Sequence, residues 1–231
     1  MNTKTLTKRG RGAHASTAKQ TMRTKPRNVT TRATRKKGRD SKSTRQLKRR
    51  RDGTIVFTDH SEFRPNLTPT EMFALGSFGG TYWRPIYSAI AKKRLQNVHK
   101  TYPKSWWKDV PENWLSSPNY DKTINKYGVR VGTSLEFWEE KGWITKYNPY
   151  GWVHWYCDFY MGKRGPDDDR QIARWLALAS DKGRFRNFLV NLIKKKYSGH
   201  AVDGLTDTSI SPKIRQVLQH WAYVLKPSDV K

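Results

Sequence analysis

The sequence predicts a mainly α fold, a compact aromatic-rich helical domain with a minor β element, behind a disordered basic N-terminal arm. Three observations carry that expectation. Residues 1–52 hold 19 of the 46 Lys and Arg, two acids (Asp40 and Asp52) and no aromatic residue, a formal charge of +17. Residues 53–231 hold all 29 aromatics, ten of them Trp, and carry the remaining +10. Within this second part, apolar residues recur at helical spacing between recognisable capping signals. The arm has too little apolar surface to offset its ordering entropy. The 179 residues after it suffice for one domain whose core is built from large aromatic side chains.

The elements follow in order. Thr54–Thr58 is β-prone and reads as a short strand. Thr68-Pro69-Thr70-Glu71 is a helix start, with Thr68 as N-cap, Pro69 at N1 and Glu71 closing a capping box, and Gly76 ends that helix. Gly79-Gly80 requires a bend or a close backbone approach. Residues 101–133 are irregular, punctuated by Pro103, Pro111 and Pro118, with a small sheet or hairpin expected near 126–131. Thr133–Glu136 reads as a second capping box, with Gly142 closing its helix, and Asn148-Pro149 opens a third with Trp152, Trp155, Tyr156 and Phe159 on one face. After a break at 162–166, Asp168 is expected as N-cap with Gln171 at N3, ahead of Ile172, Trp175 and Leu176. Gly183 breaks or weakens the next stretch, whose face is Phe185, Phe188, Leu189, Leu192 and Ile193. Ser211-Pro212 caps a last helix with Ile214, Val217, Leu218 and Trp221.

Composition narrows the function classes. A single cysteine, Cys157, excludes an intrachain disulfide and an all-Cys zinc site. No apolar run approaches the ~18–20 residues of a membrane span, and no secretory h-region is visible. The expectation is an intracellular protein of the nucleus or a virion, with no membrane and no cofactor. Lys36-Lys37, a spacer over 38–47, and Lys48-Arg49-Arg50-Arg51 have the form of a bipartite nuclear localisation signal. A mitochondrial transit peptide is the alternative. The arm's Arg-, Ser- and Thr-rich, acid-poor composition fits one, but its scattered apolar residues make no amphipathic face.

Several segments carry a resemblance: Thr68–Met72, Phe78–Ile86, Ser134–Trp138, Gly142–Ile144, Pro149–Trp175, Ser211–Gln216 and Trp221–Tyr223. Over about residues 63–225 the chain resembles an uncharacterised family of aromatic-rich domains found in large DNA viruses, plants, fungi and bacteria. The resemblance implies one domain and assigns no residue roles. The family often has a basic residue where this chain has Asp158.

Two acidic constellations are candidates for chemistry. His154 and Asp158, at i and i+4 with Cys157 between them, have the residue types of a general base and nucleophile. The competing reading makes Cys157 a small core residue. Asp167-Asp168-Asp169 suits Mg²⁺ beside a phosphodiester, or simply the start of a helix, where carboxylates complement the dipole. We take the second reading in both cases and assign no catalytic or metal residue.

The basic residues give the firmer expectation. Lys36, Lys37, Arg39, Lys48, Arg49, Arg50 and Arg51 in the arm, and Arg84, Lys163, Arg164, Arg170, Arg174, Arg184 and Arg186 in the body, are the candidate nucleic-acid-binding set. Lys163, Arg164, Arg170 and Arg174 are expected to face one phosphate track. Arg84 points toward a ligand or packs on a neighbouring Trp. The function predicted is non-catalytic binding of nucleic acid, DNA ahead of RNA, largely without sequence specificity, in genome packaging or compaction. Capsid or chromatin proteins are possible further partners. The alternatives are a virion or assembly component whose arm contacts the genome, and a nucleic-acid-processing enzyme using Asp167–Asp169 or His154 and Asp158.

Overall fold

The structure, a computed structural model, describes residues 47–231. Lys36, Lys37 and Arg39, and with them the expectation of a disordered arm and the first half of the localisation signal, lie outside the described residues. The second half does not: the folded chain begins upstream of residue 52. Lys48–Arg49 (β1) pairs antiparallel with Ile55–Val56 (β2), Arg49 facing Ile55. Arg49 also bonds the Gly53 carbonyl, Glu71 and the Asn66 carbonyl. Lys226 closes the turn from the far end of the chain, donating to Asp52 at 2.5 Å and to Thr54 Oγ1 at 2.8 Å. Arg49 was thus placed too early, in the arm; its guanidinium holds the start of the domain.

The capping box forms as expected ahead of α1 (Pro69–Ala74), with Thr68 accepting from the Glu71 N–H and Glu71 from the Thr68 N–H. Gly76 follows at φ +88°. A Cβ there would lie 1.9 Å from the Ile124 carbonyl oxygen, so only glycine lets the two backbones meet. Gly80, at φ +77°, is bound by the same logic to the Asn113 carbonyl. No strand forms at 126–131. The second sheet is instead a hairpin of Ile86–Ser88 (β3) and Lys93–Leu95 (β4). Short 3-10 turns fill the irregular region up to residue 124.

Leu135–Glu140 (α2) is capped one residue later than expected, by Ser134 accepting from the Phe137 N–H. Trp152–Tyr160 (α3) starts after Gly151, three residues beyond Asn148. Seven of its nine side chains are buried, so it is a central helix rather than an amphipathic one. It packs on α1 and on α4 (Asp168–Ala179), while α5 (Arg184–Lys196) bridges α4 and α6 (Pro212–His220). Gly183 does separate α4 from α5. Phe188, expected inside, is 51% exposed, and Leu189, Val190 and Ile193 make the inner face instead.

The core has two aromatic centres. Phe63, fully buried, has the rings of Phe57, Trp155, Tyr156, Phe159 and Trp175 within 5.2–5.8 Å. Trp83, equally buried, contacts Phe73, Tyr82, Tyr102, Tyr150 and His154. Truncating either ring should cost about 3–5 kcal/mol.

α6 departs furthest from its apolar pattern. Of the predicted face only Leu218 is buried, whereas Arg215, Gln216, Gln219 and His220 point inward. Each is satisfied. Gln219 donates to the Met72 carbonyl and Ser77 Oγ, Gln216 accepts from the Tyr127 N–H, and His220 Nε2 accepts from the Phe78 N–H at 3.0 Å. Arg215 caps the carbonyls of Gly204, Leu205 and Ile210. A paired polar network in a dry interior fixes one arrangement, here that of the Gly76–Gly80 turn.

Candidate nucleic-acid interface

The two acidic constellations are absorbed by the fold. Asp167, not Asp168, occupies the N-cap position of α4. It accepts from Arg170 Nε at 2.5 Å and Nη2 at 2.9 Å and from Gln171 Nε2 at 2.9 Å. Burial works to raise its pKa, and those hydrogen bonds outweigh it, so the carboxyl lies below its ordinary value. Asp168 is buried and bridges two elements: Oδ1 accepts from Trp155 Nε1 at 2.7 Å and Oδ2 from the Gly165 N–H at 2.8 Å. Asp169 is exposed. Asp158 takes Tyr102, Lys163 and Asn148. Burial pushes the Cys157 thiol well up and His154 down to about 4. Among the described residues no group of three His, Cys, Asp or Glu is placed to hold a metal ion.

The expected phosphate track is likewise engaged from within. Lys163 pairs with Asp158. Arg164 grips Asp59 with two nitrogens and lies 3.7 Å over the Phe159 ring. Arg186 pairs with Asp229, whose side chain is fully buried. Arg170 and Arg174 do share a face, as their i, i+4 spacing requires, but their joint target is the chain's own backbone. Arg170 reaches the carbonyls of Gly142 and Trp143, and Arg174 Nη1 reaches that of Trp143 at 3.2 Å. Arg174 also lies between the rings of Trp143 (5.4 Å) and Trp221 (5.3 Å), and its burial lowers it to about 10, still charged.

What these contacts build is a cleft. The loop after α2 that Arg170 and Arg174 hold forms one wall of a cavity of about 500 Å³. Trp138, Trp143, Trp152 and Trp221 line it, and Arg174 and Arg184 provide its charge. A second cavity of about 320 Å³ shares Phe78, Tyr82, Thr133, Trp138 and Tyr150 with the first and adds Arg84, Arg130 and Tyr120. Among the described residues, no Asp, Glu or Lys lines either one. Phe78, common to both, is held at φ +53°, a strained state for a bulky residue, by its bond to His220 and by ring stacking at 3.8 Å on that imidazole.

Sequence reasoning named three of the four cleft arginines, Arg84, Arg174 and Arg184, without bringing them together. It missed Arg130, which lies 4.6 Å over Tyr120. Arg84 donates to the Thr81 carbonyl and stacks on no aromatic ring among the described residues. Lys48, Arg50 and Arg51 are exposed beside β1.

Over the described residues as a whole the charge is one-sided. Residues 1–46 hold 15 of the 46 Lys and Arg and one of the 19 acids, which leaves 31 cations against 18 acids on the described residues. Eight of those cations sit against a carboxylate. Twenty-three therefore have no carboxylate partner among the described residues. Among these residues no helix is long and apolar enough to cross a membrane. Comparison with protein-family models, curated proteins and solved structures finds no match to this chain.

Proposed function

We propose that this protein binds nucleic acid through its phosphates, largely without regard to sequence, and that genome packaging or compaction is its setting. The observation that carries the reading is the surplus of cations over acids, 31 against 18 on the described residues. Over these residues the fold pairs eight of 18 carboxylates with arginines and lysines and leaves most of the other cations outward, a net +13 (31 − 18), and the N-terminal 46 residues add a formal +14. Cations without internal partners release condensed counterions when they meet phosphates. Contacts of this kind position a duplex without reading it. Arg49, Lys163, Arg164, Arg170 and Arg186 belong to the scaffold in this reading. Lys48, Arg50, Arg51 and the exposed Lys92-Lys93-Arg94 of the second hairpin belong to the surface.

The test compares the full chain with a chain lacking residues 1–46, a cut that spares the Lys48–Arg49 strand. Removing 15 cations should weaken duplex binding by orders of magnitude and flatten its salt dependence by about 0.9 in log–log slope per lost phosphate contact. Equal affinity and slope for the two chains would contradict the arm's part in binding.

A further inference from the structure

We infer that the aromatic cleft takes one unpaired nucleotide from a single-stranded segment, its base among the indoles and its phosphates on the rim arginines. The inference rests on the proposed binding of nucleic acid and names what the domain itself adds to it. A cavity of about 500 Å³ that shares lining residues with one of about 320 Å³ falls in the range of small-molecule sites. Trp143 is 40% exposed at its wall, an aromatic face on which any base can stack.

The charge of the lining selects the ligand. All four cations are arginines, whose planar fork pairs with phosphate through two parallel hydrogen bonds. The side chains of Arg130 and Arg184 make no hydrogen bond among the described residues, and that of Arg84 makes one, to the Thr81 carbonyl. An acyl chain or neutral aromatic ligand would leave Arg130 and Arg184 unanswered. No Asp or Glu lines the cleft among the described residues, and the carboxylate that Arg84 acts on electrostatically, Glu136, is outside the lining. Trp152, only 7% exposed, lines the larger cavity and adds its ring to the apolar wall. A base paired within a duplex cannot enter a recess; an unpaired one can.

The test uses the full chain with a short fluorescent oligothymidylate and a duplex of equal length. The double variant Arg84→Gln/Arg130→Gln should bind the single strand at least tenfold more weakly while duplex affinity changes less than threefold. Lys195→Gln/Lys213→Gln removes the same charge from exposed positions away from the cleft, and should lower both affinities alike and slightly. Equal losses on single strand and duplex for the cleft variant, or no loss on either, would overturn the inference while leaving the proposed function standing. A wild-type chain that binds the duplex and ignores the single strand would do the same. A wild-type chain that binds neither would overturn both.

Discussion

Arg170 donates to both oxygens of Asp167, and the same guanidinium reaches the Gly142 and Trp143 carbonyls of the cleft wall. The pair joins the start of α4 to the loop after α2 and makes Arg170 a structural residue. Arg170→Gln should therefore lower stability by about 1–3 kcal/mol, because it strands a largely buried carboxylate. Lys163→Gln breaks an exposed pair and should cost less than about 1 kcal/mol. Thermal melts of the two variants check the contrast; equal shifts would contradict it.

Asp168 separates a bridge from a cap. As a mere cap, Asp168→Asn would be nearly silent. As a bridge, each of its oxygens answers a different N–H, from Trp155 and from Gly165. Asn offers one oxygen and turns an NH₂ on the other donor. Denaturant titration should show a loss of about 1–3 kcal/mol for Asn and at least as much for Ala.

Acid should destabilise the domain well above the carboxylate range. Burial holds His154 down at about 4 and His220 at about 3, against an unfolded value near 6.5. The unfolded chain therefore takes up protons that the folded one refuses, so stability is complete above about pH 6.5 and falls as pH drops toward 4. The loss reaches about 2 kcal/mol per histidine at pH 5. His154, which faces Asp158, Lys163 and Lys93, packs edge-on against Trp83 and Tyr150. His154→Phe should visibly shrink the difference between urea melts at pH 7 and pH 5.

Gly80→Ala tests the turn under the cleft. A Cβ there would lie 2.3 Å from the Asn113 carbonyl oxygen, at a φ of +77°. Strain and overlap together should cost about 2–5 kcal/mol, readable as a lower melting temperature. A silent substitution would mean that the turn and the Asn113 segment do not meet.

Local chemistry made some of this legible. The Thr68–Glu71 box and the bend at Gly79-Gly80 depend on neighbours a few residues away or on glycine itself. The rest depended on distant partners. Arg49 hides in a charge run until the Glu71 and Asn66 it bonds are known. Periodicity reads apolar stripes, so it placed α6 correctly after Ser211-Pro212 and misassigned its buried face, which is Arg215, Gln216, Gln219 and His220 with Leu218. The hairpin at 86–95 turns without glycine, at Lys92 with φ +51°, and gave no turn signal. Arg170 and Arg174 share the face that their i, i+4 spacing gives, but spacing does not show that both also hold the Gly142–Trp143 backbone. The cleft draws on residues from Phe78 to Trp221, so no sequence window contained it.

The central claim is that this chain holds phosphates. The most direct measurement is the affinity of the full chain for a duplex several helical turns long, across a series of salt concentrations. Six or more phosphate contacts predict a log–log slope of about −5 or steeper, with little change when the base sequence is altered. A slope near zero, or no binding at low salt, would contradict the account.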